Sequence, residues 1–282
     1  MRNKRQNLSK QNSANPLSPV SFANTTTTPC SSGTTTTVTL SANTTNGANP
    51  LSPVSFAATA TCAAAPSGTA AVAGLGRSSA SFPARVASTQ KVANSFALCL
   101  PSDGRTGFSG NGVGAAIFGG GPFYLAPPAD REAITTLLSD PVPLRQPFAG
   151  TPATSRVIAA FDRALGQTAK VAAVAPFELC YDASKLGSSL SGYSVPQVDV
   201  LLEGGTNFTV VGGNSMAQVN TNTACFAFLK AATTTGPPVL IGGFQLENRL
   251  VALDNAKQQL SFTGYLPARG FSCSNFNFTR AG

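Results

Sequence analysis

Short apolar runs separated by glycine or asparagine dominate the sequence from Ala71 onward. Runs of this kind, bounded by turn residues, predict buried strands, and a spacing of about ten residues favours a sandwich or barrel. The predicted strands lie in 71–76, 95–101, 114–121, 198–205, 208–213, 224–229, 239–243, 250–254 and 260–265. We therefore expect an all-β fold, mainly strands with a few short helices.

One segment has helical instead of strand periodicity. Apolar residues between positions 154 and 166 recur at intervals of three and four, which predicts a helix with one side facing the core. Thr154 or Ser155 is expected to cap the start of this helix, and Gly166 is expected to end it.

The N-terminal region differs from the rest of the chain. The sequence ANPLSPVSFA occurs twice, at Ala14–Ala23 and Ala48–Ala57, on either side of the threonine-rich tract Thr25–Thr45. Two copies are too few for a solenoid, which needs at least three stacked repeats. We interpret residues 1–57 as an atypical, low-complexity segment.

The net charge of +8 changes this picture little. Four of the 19 basic residues lie within the first ten positions, and no basic stripe with interleaved aromatic residues follows, so nucleic-acid binding is not expected. No apolar stretch approaches the roughly 18 residues that span a bilayer, so no membrane partner is expected either. Met1–Pro29 lacks the apolar core of an export signal.

Cysteine and histidine usage narrows the chemistry further. The chain has six widely spaced cysteines and no histidine, which argues against a zinc site and a Ser-His-Asp triad, so no metal or cofactor is expected. Five Asn-x-Ser/Thr sequons, at Asn7, Asn24, Asn43, Asn207 and Asn277, point with the even cysteine count to an oxidising, glycosylating compartment. Asn207 and Asn277 are the glycosylation candidates.

The segment 237–265 resembles the last part of the pepsin-like aspartic proteases, where an apolar-apolar-Gly strand precedes a short helix and a hairpin. Val72–Ser102, followed by AIFGGGP, is similar to the plant branch of wheat-type xylanase inhibitors, basic 7S globulins and the extracellular dermal glycoprotein. The resemblance implies a bilobal acid-protease fold with both lobes incomplete. Residues 58–122 would be a remnant of the N-terminal lobe, and residues 123–282 the C-terminal lobe.

Aspartic proteolysis needs two carboxylates, which the family supplies from an Asp-Thr/Ser-Gly loop in each lobe. None of the seven aspartates in this sequence lies in such a motif. The resemblance therefore implies a non-catalytic, extracellular monomer that binds and inhibits a microbial xylanase or another glycoside hydrolase. Two alternatives stay open: a seed or cell-wall glycoprotein that binds a peptide or protein without inhibiting it, and a truncated aspartic endopeptidase.

The resemblance also implies disulfides between Cys180 and Cys225 and between Cys99 and Cys273, and it leaves the partners of Cys30 and Cys62 open. In the wheat-type inhibitors a histidine of the C-terminal loop enters the hydrolase cleft. The matching stretch here, 265–273, has no histidine. Its inhibitory-loop candidates are Pro267, Ala268, Arg269 and Phe271, with Arg269 as a substitute cation.

Overall fold

The computed structural model describes residues 33–44, 52–62, 73–102, 114–121, 123, 137–144, 153–166, 169–230 and 237–275. The strands are β1 (Thr35–Thr44), β2 (Ser52–Thr61), β3 (Ser95–Cys99), β4 (Ala115–Phe118), β5 (Val142–Pro143), β6 (Lys170–Val171), β7 (Cys180–Asp182), β8 (Ser188–Ser189), β9 (Gly192–Tyr193), β10 (Val198–Leu201), β11 (Asn207–Val210), β12 (Met216–Asn220), β13 (Thr223–Phe226), β14 (Leu250–Asp254) and β15 (Gln259–Phe262). The helices are α1 (Phe82–Gln90), α2 (Thr154–Leu165), α3 (Gly212–Ser215) and α4 (Gly243–Leu246), with 3₁₀ turns at Ala183–Lys185, Glu203–Gly205, Leu266–Arg269 and Cys273–Asn275. Strands thus predominate, as the sequence predicts.

The chain divides into two compact units. The first comprises Met1–Phe96, Phe118–Gly120 and Asn277–Gly282, and the second comprises Ala97–Ile117 and Gly121–Phe276. The lobe boundary between residues 122 and 123 that the sequence suggests stays a prediction.

The first unit is built on a hairpin. β1 pairs antiparallel with β2 from Thr35 opposite Thr61 to Thr44 opposite Ser52. Phe56 on β2 contacts Phe82 of α1 edge to face, at 5.4 Å between ring centroids, and both pack in a small apolar core. Part of the low-complexity segment is therefore ordered sheet, because its threonines alternate with apolar residues and have high β propensity.

The second unit contains most of the sheet structure. A five-stranded sheet has the order β4-β3-β14-β15-β5, and a four-stranded sheet has the order β12-β13-β7-β6. The hairpins β8-β9 and β10-β11 complete it. Helix α2 packs Ile158 and Phe161 into the core of this unit, where Phe161 stacks on Phe226 of β13 with 3.9 Å between ring centroids.

Helix α2 has the predicted extent and core-facing side, but its predicted cap is wrong. Thr154 and Ser155 lie inside the helix, and the N-cap residue is Ala153, which makes no side-chain capping bond. Thr154 is itself buried. The packing of the helix thus outweighs the roughly 1 kcal/mol that a capping side chain contributes.

Two of the predicted strands lack pairing in their described residues. In the predicted 71–76 segment, residues 73–76 have no strand pairing, and in the predicted 239–243 segment, residues 239–242 have none and Gly243 begins α4. The side chain of Gln245 links the end of the second stretch to another part of the chain: its Oε1 accepts from the Gly242 N–H at 3.2 Å, and its Nε2 donates to the Ala227 carbonyl at 3.3 Å. The short helix α4 and then the β14-β15 hairpin follow this stretch, in the order that the family resemblance implies.

Candidate functional site

The C-terminal loop, defined here as residues 265–273, is a tight turn of 3₁₀ helix. Pro267 lies in the first turn of Leu266–Arg269, where its fixed φ favours helical geometry. Gly270 ends the turn with φ 79°, a left-handed conformation that glycine adopts without steric cost. Its N–H donates to the Pro267 carbonyl at 3.0 Å, and the Phe271 N–H returns to the Leu266 carbonyl at 3.2 Å.

Close packing holds the start of the loop. Tyr265 and Leu266 are buried, and the Tyr265 ring lies so close to Gly213 that a Cβ atom there would come within 2.5 Å of it. Gly213 is the second of two glycines at the start of α3. The close approach of ring and backbone explains why glycine occupies this position.

Asn248 anchors both ends of the loop. It is 1% exposed and has φ 53°, a conformation that asparagine tolerates better than most residues. The Leu266 N–H donates to its carbonyl at 3.0 Å, and the Cys273 N–H donates to its Oδ1 at 3.1 Å. Cys273 is also joined to Cys99 by a disulfide. The loop is consequently fixed at its two ends to one rigid residue.

The four loop candidates are not equivalent. Ala268 and Arg269 are exposed, Phe271 is half-buried, and Pro267 is buried, so Pro267 supports the loop and is not available to a partner. Within the described part of the chain, the Arg269 guanidinium has neither an ion pair nor a hydrogen bond. The loop therefore presents one unpaired cation to solvent on an anchored backbone.

Arg249, the residue after Asn248, is a buried charged residue that was not predicted from the sequence. Arg249 is 1% exposed, and its guanidinium donates to the carbonyl of Thr263 at 3.2 Å and to the carbonyl of Thr209. No carboxylate among the described residues pairs with it. Burial lowers its pKa to about 10, an effect partly offset by Tyr265. Its place immediately before the apolar strand β14 is the only signal in the sequence.

Four of the described aspartates, Asp162, Asp182, Asp199 and Asp254, make hydrogen bonds through their carboxylates. Asp162 accepts a 2.7 Å bond from Lys170 and a 3.3 Å bond from the Tyr181 hydroxyl, and burial together with this carboxylate raises the pKa of Tyr181. The Ser184 hydroxyl and N–H lower the pKa of Asp182, and the Lys257 N–H lowers the pKa of Asp254. A general acid needs a raised pKa, so neither aspartate suits that role. Asp103 and Asp130 lie outside the described residues.

The described ranges contain neither a candidate metal-ion site nor a candidate membrane-spanning helix. They contain no group of three His, Cys, Asp or Glu residues arranged to hold a metal ion. None of their helices has the length and apolar character that a membrane span requires.

The remaining predicted sites are the disulfide cysteines and the glycosylation asparagines, and the structure describes some of them. Cys180 of β7 lies opposite Cys225 of β13 and is bonded to it, so the structure joins both cysteine pairs that the family resemblance implies. Cys62 is also disulfide-bonded, whereas Cys30 lies outside the described residues. Asn207 is exposed at the start of β11, and Asn277 lies outside the described residues.

The chain matches two protein-family models and is similar to proteins of known sequence. The family models described as xylanase inhibitor N-terminal and xylanase inhibitor C-terminal match residues 2–120 and 151–264. Chitinase CLP of Oryza sativa subsp. japonica is 42% identical over 295 residues, which cover 86% of this chain and 68% of the rice protein.

Two crystal structures share the fold. The structure of edgp superposes with a TM-score of 0.70 at 22% identity and covers 89% of this chain and 74% of that one. The structure of basic 7S globulin from soybean gives a TM-score of 0.64 at 22% identity, covering 85% and 70%. The all-β, pepsin-like architecture expected from the sequence is confirmed.

Proposed function

Because the chain belongs to the xylanase-inhibitor and basic 7S globulin branch of the pepsin-like family, we propose that it inhibits secreted glycoside hydrolases by protein–protein contact and has no protease activity. The absence of any Asp-Thr/Ser-Gly motif supports the second part, since without the paired carboxylates no group activates the attacking water. The chain spans 68% of its rice relative, so the activity of that longer protein is not carried over.

The exposed guanidinium of Arg269 on the anchored C-terminal loop is the observation that carries the proposal. Glycoside hydrolases of the common type place two carboxylates on either side of a cleft. Guanidinium binds a carboxylate through two parallel hydrogen bonds, which strengthen when water is excluded. A loop already fixed by Asn248 and Cys273 loses little conformational entropy on insertion.

The charge of the protein fits such a partner. The formal charge is +8 for the whole chain, and an acidic cleft attracts a basic surface at long range, which raises the association rate at low salt. An extracellular location is part of the proposal, because disulfides persist in oxidising compartments and microbial xylanases act outside the cell.

The test is a panel of purified microbial xylanases, assayed for release of reducing sugar with increasing amounts of the purified chain. Inhibition that weakens as a xylo-oligosaccharide occupies the cleft supports the proposal. Binding without loss of xylanase activity would favour the alternative, a wall or seed glycoprotein that binds a protein partner. A parallel assay at acid pH on a denatured protein substrate is expected to show no cleavage; cleavage would favour the endopeptidase alternative.

The 42% identity to a protein named chitinase supports a second candidate function, hydrolysis of chitin by this chain. Such hydrolysis requires one carboxyl held protonated beside a second carboxylate. Asp182 and Asp254 have lowered pKa values, which does not favour it. Release of chito-oligosaccharides from colloidal chitin by the purified chain would establish this activity in place of inhibition.

A further inference from the structure

The hairpin β10-β11 has one buried and one exposed face. Val200 on β10 and Phe208 on β11 are directly opposite each other and pack against the core of the second unit. Neighbouring residues of each strand point the other way, so Leu201 and Asn207 share the exposed face. The hairpin therefore carries the asparagine of a sequon on the side that faces solvent.

Leu201 is an unusual residue for that face. It is 71% exposed, although burying a leucine side chain contributes roughly 1.5–3 kcal/mol. Its direct cross-strand partner is Asn207, the asparagine of the sequon Asn207-Phe208-Thr209. Residues directly opposite in an antiparallel pair have Cβ atoms about 4.5–5.5 Å apart. A sugar attached to the Asn207 amide nitrogen would thus begin within reach of the exposed leucine.

The next pair on the exposed face is Asp199 and Thr209, two register positions from Leu201 and Asn207. Asp199 accepts a hydrogen bond from the Thr209 hydroxyl, so these two polar groups satisfy each other. Asn207 is exposed, and the residue between it and Thr209 is not proline, as the acceptor motif requires.

We infer that Asn207 carries an N-linked glycan whose first N-acetylglucosamine covers Leu201. The apolar face of the sugar ring shields the leucine from water, and the hydroxyls and the rest of the glycan remain solvated. Leu240, which is 80% exposed, has no sequon opposite it in a strand and serves as the internal reference.

The experiment uses the full chain secreted from plant or yeast cells behind a cleavable signal. The glycan is left intact, trimmed enzymatically to one N-acetylglucosamine, or removed completely. Peptide mass spectrometry assigns occupancy of Asn207, and hydroxyl-radical footprinting measures the oxidation rates of Leu201 and Leu240 in each form.

We expect Asn207 to be occupied and Leu201 to be oxidised at least threefold more slowly in the intact and trimmed forms than in the deglycosylated form. The Leu240 rate should be the same in all three. An unoccupied Asn207 in the secreted protein overturns the inference. Equal Leu201 rates with and without the single sugar overturn it as well, even if the site is occupied. None of these results bears on xylanase inhibition.

Discussion

The guanidinium of Arg249 lies over the ring of Phe208, with 4.7 Å between Cζ and the ring centroid. The same side chain donates to the carbonyls of Thr263 and Thr209. Among the described residues, this buried charge is stabilised by a ring face and two carbonyl dipoles in place of a carboxylate. It joins β11 to the end of the β14-β15 hairpin, directly behind the C-terminal loop.

Arg249→Lys should lower the free energy of unfolding by about 1–3 kcal/mol. A single ammonium cannot lie over the Phe208 ring and keep both carbonyls in the geometry of a planar fork. Urea denaturation measures the change. Arg156→Lys, an exposed position on α2, is the matched control and should change stability by less than about 0.5 kcal/mol. Equal stability of Arg249→Lys and the parent protein would contradict this role.

Asn248 combines an unusual backbone conformation with a buried hydrogen bond, and two substitutions separate these contributions. Asn248→Gly removes the bond to the Cys273 N–H but accepts φ 53° without strain. Asn248→Ala removes the same bond and adds a left-handed alanine, which costs a further 1 kcal/mol or so. The melting temperature should therefore be highest for the parent protein, lower for the glycine variant and lowest for the alanine variant. An alanine variant as stable as the glycine variant would show that φ at this position carries no cost.

Gly213→Ala should destabilise the second unit by about 1–3 kcal/mol, because the new methyl would collide with the Tyr265 ring at 2.5 Å. Gly264→Ala is the control: it is one residue from Tyr265, and a Cβ atom there meets nothing within 4 Å. Urea midpoints of the two variants give the comparison. Unfolding free energies that agree within 0.5 kcal/mol or so would mean that the Tyr265 ring is free to move aside.

The pKa of Asp254 is lowered chiefly by the N–H of Lys257, which donates to its Oδ1 at 2.9 Å. A lowered folded-state pKa stabilises the protein above the ordinary aspartate value of about 3.9, and this contribution is lost as the pH falls through the folded value. Asp254→Asn should therefore be less stable than the parent by at most about 0.5 kcal/mol at pH 7, and the gap should close below about pH 4. Asp140→Asn, at an exposed aspartate, is the control. A gap that widens at low pH would have the wrong sign.

Apolar runs and helical periodicity predicted much of the second unit. β10, β13, β14 and β15 lie where short apolar runs bounded by turn residues predict strands, and helix α2 lies where apolar residues recur at helical spacing. Residues 239–243 were wrongly predicted as a strand: the Gly242 N–H donates to the side chain of Gln245, three residues away, and α4 begins at Gly243. Helix α1 was missed, because only Pro83, Val86 and Ala87 are buried and they form no extended periodic pattern.

The position of the C-terminal loop was predictable from the sequence, but its anchoring and the exposure of each of its side chains were not. Resemblance located residues 265–273, and residue type alone suggested Arg269 as the cation. The double anchoring by Asn248 depends on hydrogen bonds to Leu266 and Cys273, each more than 15 residues away in sequence, which no local pattern encodes. Arg249 illustrates the same limit, because an arginine in sequence reads as a surface residue until its ring and carbonyl partners are known.

The most direct test of the proposed inhibition compares Arg269→Ala with Arg156→Ala against a xylanase that the parent chain inhibits. Both variants remove one exposed arginine from the same unit, so a general charge effect would weaken both equally. We predict that the inhibition constant rises at least tenfold for Arg269→Ala, equivalent to about 1.4 kcal/mol, and less than twofold for Arg156→Ala. An Arg269→Ala inhibition constant within twofold of the parent value would contradict the proposed role of the loop.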